Sequence, residues 1–557
     1  LAGNRTLGQY LYDCLKAEGI TEIFGVPGDY NFSLLDTLED YDGIEFINGR
    51  NELNAGYAAD AYARVKGMSA LITTFGVGEM SACNAVAGAY SENVPLIHIV
   101  GSPKSMIQKE KELSHHTLMD GDFDVFRKVY EHITSYTAIL TPENAGREIP
   151  EAIRIAKEKK KPVYLVVAID LITKPVISHT EPSQNKTKTN DDALQSAIEH
   201  IRKMLEDVKK AVLLVDMKTL RYKLQGSVQQ LAEQLNVPVA SLMQGKSVFD
   251  ESHPLYIGVY GGAFGSKEVA QAVEEADCII AVGAVWSDVN TSKGTAKLNP
   301  LKMIEVQPDS LKVGVASYMN VNGEDVLNAL KEIGYRQKES VGTTSFPYDT
   351  MVGDPTAPLE AASYYPRIQQ MLKEHDIVVT ETGTFYYGMS QVRLPKGATY
   401  IAQGGWQSIG YATPAAFGAC IADRNRRVLL FTGDGSIQLT AQEISSMLEN
   451  GCKPIVFILN NNGYTIEKFL NVKVDIEKQE YNEIPEWEYT KLAEAFGEEA
   501  FTARVRTNGE LDDAIKKAQE MNAEKLSLIE MIVKDQMDGP EYLNKIRQYL
   551  ETQEKQN

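Results

Sequence analysis

The chain has 557 residues, enough for three or four domains, since a single core stops growing near about 250 to 300 residues. Hydrophobic content of 43% and charged content of 24% are ordinary for a soluble globular protein, so neither disorder nor a fibre is indicated. A formal charge of −20 argues against a nucleic-acid partner, which would need a basic face.

In the first third, Leu7, Leu11, Cys14 and Leu15 repeat at helical spacing, and Glu22 to Val26 reads as a strand ending in Pro27-Gly28-Asp29. A helix starting near Asn51-Glu52 carries Ala55, Ala58, Ala59 and Ala63, small residues that permit close packing. Leu71 to Phe75 then ends in Gly76-Val77-Gly78, followed by a helix to Asn93 and a strand from Leu96 to Val100. This alternation predicts a parallel, doubly wound sheet. On position alone Glu52 reads as a carboxylate favoured by the helix dipole. His115-His116 lies in a loop, and adjacent histidines on a regular element point in different directions; no third ligand follows at metal-binding spacing.

The polar stretch at about 181–192 reads as a linker. A strand at Ala211 to Val215, a helix through Leu235, a strand at Val237 to Leu242 and an apolar run from Cys278 to Val282 make another α/β unit. Gly245-Lys246-Ser247 is no P-loop, because Ala240 stands where that motif needs its first glycine. A second linker is expected at 335–358, rich in Gly, Thr and Pro. The chain therefore divides into domains 1–182, 192–336 and 358–557.

In the last third a strand at Ile377 to Val379 ends in Thr380-Glu381-Thr382-Gly383-Thr384. The run Val428 to Phe431 ends at Gly433-Asp434-Gly435, a helical pattern follows to Asn450, and Ile455 to Leu459 ends at Asn460-Asn461. In an open parallel sheet ligands sit outside the carboxyl ends of strands, so Asp434 and Asn461 can converge on one ion. Hard oxygen ligands of this kind suit Mg²⁺ holding a diphosphate. Tyr542, Leu543, Ile546 and Leu550 form an amphipathic closing helix. Cys14, Cys83, Cys278, Cys420 and Cys452 are scattered and contain no C-x-x-C pair, as expected of buried thiols in a reducing compartment. No run approaches about 18 apolar residues and the N-terminus lacks a basic-then-apolar pattern; no membrane partner and a cytoplasmic location are expected.

Twenty-four residues separate Gly435 from Asn460, and this GDG-x24-NN pattern resembles the fingerprint of thiamine diphosphate (ThDP) enzymes. Phe24-Gly25-Val26-Pro27-Gly28-Asp29, Asn51-Glu52-Leu53-Asn54-Ala55, Thr74-Phe75-Gly76-Val77-Gly78-Glu79 and His115-His116-Thr117 appear in order. Together they resemble the pyruvate decarboxylase family of non-oxidative 2-oxo-acid decarboxylases, which includes branched-chain and indolepyruvate members.

The resemblance implies ThDP and Mg²⁺ as cofactors, with Asp434, Asn461 and the Gly463 carbonyl on the metal. It implies cofactor contacts by Thr382, Thr384, Gln407, Ile409, Gly435, Ser436, Tyr464, Thr465 and Ile466, with Ile409 propping the two cofactor rings together. It makes Glu52 the hydrogen-bond partner of the pyrimidine ring nitrogen, and Asp29, His115, His116 and Glu467 the proton-handling groups. By the same resemblance the first domain binds the pyrimidine, the central domain is nucleotide-binding-like without a nucleotide, and the third binds the diphosphate under the closing helix. A homodimer or homotetramer with sites between subunits is implied. Departures cluster near the substrate: Gln407 stands where relatives carry glycine, Asn462 where they carry aspartate, and the loop from Leu470 to Tyr481 is longer. They suggest a small 2-oxo acid larger than pyruvate. A ThDP-dependent carboligase and a non-catalytic cofactor-binding scaffold are the alternatives.

Overall fold

The computed structural model describes residues 5–177, 188–339 and 344–556. Of the two expected linkers, residues 181–187 and 340–343 lie outside the described residues.

Three sheets follow one another along the chain. The first contains β1 (Glu22–Gly25), β2 (Glu45–Asn48), β3 (Ser69–Thr74), β4 (Leu96–Ser102), β5 (Thr137–Leu140) and β6 (Val163–Ala168), in the spatial order β2-β1-β3-β4-β6-β5, with every pairing parallel. The second contains β7 (Ala211–Val215), β8 (Val239–Ser241), β9 (Tyr256–Val259), β10 (Cys278–Val282), β11 (Met303–Val306), β12 (Ser310–Val313) and β13 (Ala316–Met319), ordered β13-β12-β11-β10-β7-β8-β9. The third contains β14 (Ile377–Thr380), β15 (Thr399–Ile401), β16 (Val428–Gly433), β17 (Ile455–Asn460), β18 (Phe501–Val505) and β19 (Ser527–Ile532). Its order, β15-β14-β16-β17-β19-β18, repeats that of the first sheet, again with parallel pairings throughout.

The doubly wound class expected from the sequence is present three times. Strands β3, β4 and β6 are buried at every position, as a parallel sheet covered on both faces requires. The second sheet adds an edge that periodicity did not reveal: β12 and β13 run antiparallel beside β11. Their alternating burial marks strands with one face toward solvent. Among the described residues no helix is long and apolar enough to cross a membrane.

The first and third sheets are joined by two helices. In Glu52–Lys66 the Asn51 side chain caps the start by accepting from Asn54 N at 2.8 Å, and Gly67 ends it with φ of 105°. Residues Asn54 to Ala63 are all buried, so this helix is enclosed on every face rather than amphipathic. Its partner, Ala412–Ala422, is buried along its whole length. The crossing is close enough that a Cβ at Gly418 would lie 2.0 Å from the Ala58 carbonyl oxygen. Phe24, Tyr57 and Tyr62 on one side and Phe417, Ala416 and Val456 on the other then share one core.

Such an overlap cannot be relieved by a side-chain rotation, because both partners are backbone. Gly418→Ala should therefore lower the melting temperature, by the equivalent of about 1–3 kcal/mol for an overpacked interior position. A melting curve matching the parent protein would contradict the close approach.

Candidate active site

Two groups of candidate residues occupy the carboxyl ends of the first and third sheets, at the point in each where the strand order reverses. In the first, the chain leaving β1 enters the short turn Asp29–Asn31. His115 Nε2 lies 2.6 Å from Asp29 Oδ2, and His116 Nε2 lies 3.7 Å from Asp29 Oδ1. The ring of Tyr30 stacks on His115 at 4.8 Å, and its hydroxyl lies 3.2 Å from His115 Nδ1.

Both imidazoles thus converge on one carboxylate, contrary to the divergence expected of neighbours on a regular element. The reason is local: His116 has φ of 62°, a left-handed conformation that turns the second ring back toward the first. Gly76 makes room for it, since a Cβ there would sit 1.8 Å from the His116 carbonyl oxygen. The expectation that no third metal-type ligand accompanies the pair is also corrected. Ligand atoms of Asp29, His115 and His116 all lie within 4.8 Å of one another, the third supplied from far upstream where spacing rules do not look.

Glu52 opens its helix beside the turn after β3, with Oε2 at 3.1 Å from the position of a Cβ on Gly78. Burial raises its pKa above the ordinary value, and a backbone hydrogen bond partly opposes the rise. Deeper in the same domain Glu79 is fully buried, accepting from Gly76 N at 2.9 Å and from the Tyr164 hydroxyl at 2.7 Å. Burial pushes it up to about 7.

The second group lines a cavity of about 260 Å³ at the ends of β14, β16 and β17. Thr382, Thr384, Ile409, Asp434, Gly435, Ser436, Asn461, Gly463, Tyr464, Thr465, Ile466 and Glu467 all border it. Gly433, the first glycine of the Gly-Asp-Gly motif, borders it too, as do Glu381, Gly383, Phe385 and Leu459, which were not among the expected site residues. Asp434 is only 2% exposed; its carboxylate accepts from Gly435 N at 2.8 Å and Gly463 N at 3.2 Å. Burial outweighs these bonds and pushes its pKa up to about 7. Glu381 accepts from Thr382 N at 3.0 Å and Ala412 N at 3.2 Å, yet burial raises it to about 8. Glu381 is legible only after folding, because its environment is built by a helix 31 residues away.

Gln407 does not border this cavity. Its φ of 55° lies in the left-handed region that glycine adopts readily, and its side-chain nitrogen donates to the Gly404 carbonyl at 3.0 Å. The segment is fixed from the first domain: Glu92 Oε1 accepts from Gly405 N at 2.7 Å and Trp406 N at 3.0 Å, and Asn84 Oδ1 accepts from Trp406 Nε1 at 2.8 Å. The Tyr57 hydroxyl meets Ser408 Oγ at 2.7 Å. The loop after Leu470 folds into short turns around Gln479, which is buried and donates to the carbonyls of Asn471 and Val474.

The sequence matches models of the thiamine pyrophosphate enzymes over three regions: the N-terminal TPP binding domain at residues 5–124, the central domain at 198–328 and the C-terminal TPP binding domain at 381–531. It is 37% identical over 547 residues to an alpha-keto-acid decarboxylase of Mycobacterium leprae, covering 97% of this chain and 94% of the relative. It is 39% identical over 555 residues to pyruvate decarboxylase isozyme 3 of Saccharomyces cerevisiae, and 38% over 556 residues to pyruvate decarboxylase of Kluyveromyces lactis, each covering 97% of both chains. The chain belongs to the pyruvate decarboxylase family of ThDP-dependent 2-oxo-acid decarboxylases.

The cavity fits this family's cofactor on its own chemistry. The side-chain amide of Asn461 brings one atom to 3.0 Å from the Gly463 carbonyl and 3.2 Å from Asp434 Oδ1. With nitrogen inward it donates to both. With oxygen inward three oxygens face one another at about the edge length of an octahedron of ligands 2.0–2.1 Å from Mg²⁺. Thr382 Oγ1 is buried and, among the described residues, lacks a hydrogen-bond partner, a polar atom left for a ligand.

Asp434→Asn removes a buried charge while keeping shape. The cofactor-free protein should melt no lower than the parent, while the rise in melting temperature on adding ThDP and Mg²⁺ should disappear. For the parent that rise corresponds to about 2.7 kcal/mol at a hundredfold excess over Kd. An undiminished rise in the variant would place the cation elsewhere.

Proposed function

We propose that this chain catalyses non-oxidative decarboxylation of a 2-oxo acid to an aldehyde and carbon dioxide, using ThDP and Mg²⁺ in the cytoplasm. The observation that carries the reading is the division of labour between the two sheet ends. One presents a carboxylate, two imidazoles and Glu52; the other presents a buried oxygen cradle and Glu467.

In this reading domain 1–182 receives the pyrimidine, domain 358–557 receives the diphosphate, and 192–336 is the central domain. Asp434, Asn461 and the Gly463 carbonyl hold Mg²⁺. Thr382, Thr384, Gly435, Ser436, Tyr464, Thr465 and Ile466 surround the cofactor, and Ile409 supports its two rings. Gln407 offers its backbone carbonyl. Bound ThDP supplies the electron sink for the pair left when carbon dioxide departs. Glu52, with its proton affinity raised by burial, holds a proton at the pyrimidine nitrogen. His115 and Asp29, 2.6 Å apart, share a proton, and with His116 they form a relay facing the substrate. Glu467, at the cavity wall, is the remaining proton donor. The closing helix Glu541–Gln556 screens that wall: Tyr542 stacks on Tyr387 at 5.7 Å, and Arg547 donates to the Lys468 carbonyl at 2.7 Å.

None of Glu52, Asp29, His115 and His116 borders the cavity of their own chain. This supports a homodimer or homotetramer in which one copy supplies the pyrimidine side and another the diphosphate side. The proposed substrate is a 2-oxo acid larger than pyruvate, supported by the substitution at 407 and the ordered turns at 471–480.

Glu52→Gln should lower kcat by about 10²–10⁴-fold, the range of a lost proton-transfer group, without unfolding the protein. Mixing refolded Glu52→Gln and Asp434→Asn chains should restore activity, since half the dimers then carry one intact site of two, about a quarter of the parent rate. No recovery would mean that each chain builds its site alone. Product analysis after feeding pyruvate and branched, aromatic and linear 2-oxo acids separates aldehyde release from carboligation. The highest kcat/KM is expected away from pyruvate, and a clear pyruvate preference would end the larger-substrate reading.

A further inference from the structure

Where the three domains meet, a second cavity of about 270 Å³ opens. Six of its lining residues are cationic, Arg64, Lys66, Lys160, Arg221, Lys223 and Arg426, and none is acidic. In a chain of formal charge −20 such a concentration of one sign is not a by-product of composition. Like charges around a hollow raise the energy of the empty protein and lower that of an anion within it.

Arg426 is held by four hydrogen bonds within its own domain, but the charges of Arg64, Arg221, Lys160 and Lys223 are under-compensated. Arg64 pairs through Nε with Asp60 at 2.7 Å, but its Nη2 lies 3.8 Å from the nearest Glu92 oxygen. Nη1 donates to the Ala402 carbonyl at 2.9 Å, but among the described residues Nη2 has no hydrogen-bond partner, although the side chain is only 5% exposed. Among the described residues Arg221 makes one side-chain hydrogen bond, from Nε to the Glu92 carbonyl at 3.2 Å, leaving its terminal nitrogens for another partner. Among the described residues, no carboxylate oxygen comes within 4.0 Å of the nitrogens of Lys66, Lys160, Arg221, Lys223 or Arg426. Lys160 rests over the Tyr222 ring at 5.6 Å instead. Burial, then the Arg64 charge, push the Arg221 guanidinium down to about 10, and burial with the Lys223 charge lowers Lys160.

We propose that this junction binds a phosphoryl dianion, free or carried on a small ester, gripped by Arg64 and Arg221 and neutralised by Lys160 and Lys223. Planar guanidiniums match phosphate oxygens in pairs, and the flexible lysines add charge without fixed geometry. Arg64 and Lys160 come from the first domain and Arg221 and Lys223 from the second, so the occupant would fasten these two together; Arg426 of the third domain also lines the cavity, but its guanidinium already donates to the carbonyls of His375, Asp376 and Gly397 and to Thr399 Oγ1.

The test uses holoenzyme saturated with ThDP and Mg²⁺, so that the diphosphate cradle is filled. Melting temperature is followed against inorganic phosphate and, separately, glycerol 3-phosphate, with chloride adjusted to constant ionic strength. A saturable rise is expected, and the ligand giving half-saturation at lower concentration identifies the source. In Lys160→Glu/Lys223→Glu the half-saturating concentration should rise at least about tenfold, a conservative figure for reversing two charges near a dianion. The exposed control Lys209→Glu/Lys338→Glu, with the same net charge, should bind as the parent does, and both doubles should keep basal turnover. No rise beyond chloride, or an equal rise in the Lys160/Lys223 variant, would overturn the proposal. If that double variant loses basal turnover, Lys223→Glu alone carries the same comparison.

Discussion

Backbone presses on backbone where helix Glu52–Lys66 crosses helix Ala412–Ala422, and the placement of the candidate site depends on that contact. Alanines and glycines carry it, because an ordinary side chain at Gly418 would overlap the Ala58 carbonyl. The same crossing fixes two ends at once. Glu52 is the first residue of one helix, and Ala412, the first residue of the other, donates its N–H to Glu381 at the wall of the cofactor cavity. Loosening the crossing would therefore disturb a carboxyl group at each site, although neither touches the contact itself.

Two sheets wound in the same order offer two equivalent crevices, and the chain furnishes them with different groups. The crevice of the first sheet displays a carboxylate flanked by two imidazoles. The crevice of the third buries Glu381 and Asp434, each hydrogen-bonded by backbone N–H groups and, among the described residues, neither in an ion pair. Burial alone would make such groups expensive to ionise. Glu381, pushed up to about 8, answers by keeping its proton at pH 7. Asp434 lies instead among other oxygens, an arrangement that a divalent cation converts from repulsion into coordination. The difference between the two carboxyls is one of neighbours, since burial raises both.

Much of this was legible in the sequence where the information is local. Apolar runs ending in Gly-Asp-Gly and Asn-Asn fixed strands β16 and β17 and their polar ends, and Asn51 and Gly67 mark the ends of a helix by rules that need only a few residues. Ala211–Val215 and Cys278–Val282 appear as strands with the bounds their apolar runs suggest. What escaped depends on distant partners. The antiparallel edge β12–β13 has short, half-exposed strands without a strong period. The convergence of His115 and His116 rests on one left-handed residue and a glycine 40 positions earlier. Glu92 sits at an unremarkable helix end, and its hold on Gly405 and Trp406 exists only once two domains have packed. The basic junction likewise gathers residues from three domains.

That hold also accounts for a glutamine where glycine would be natural. A left-handed backbone costs an ordinary residue about 1–2 kcal/mol. Against this stand the hydrogen bonds of Gly405 N and Trp406 N to Glu92, Trp406 Nε1 to Asn84, Ser408 N to Gln403 and the Tyr57 hydroxyl with Ser408. At about 1 kcal/mol each, they outweigh the strain several-fold, so the segment's backbone is set by its anchors rather than by residue 407. The substitution therefore alters what projects from the backbone, not the backbone, and the side chain folds back onto the Gly404 carbonyl. Two residues on, Ile409 borders the cavity. The wall of that cavity is thus positioned from the first domain of the same chain, even though that domain's own acids and histidines do not border it.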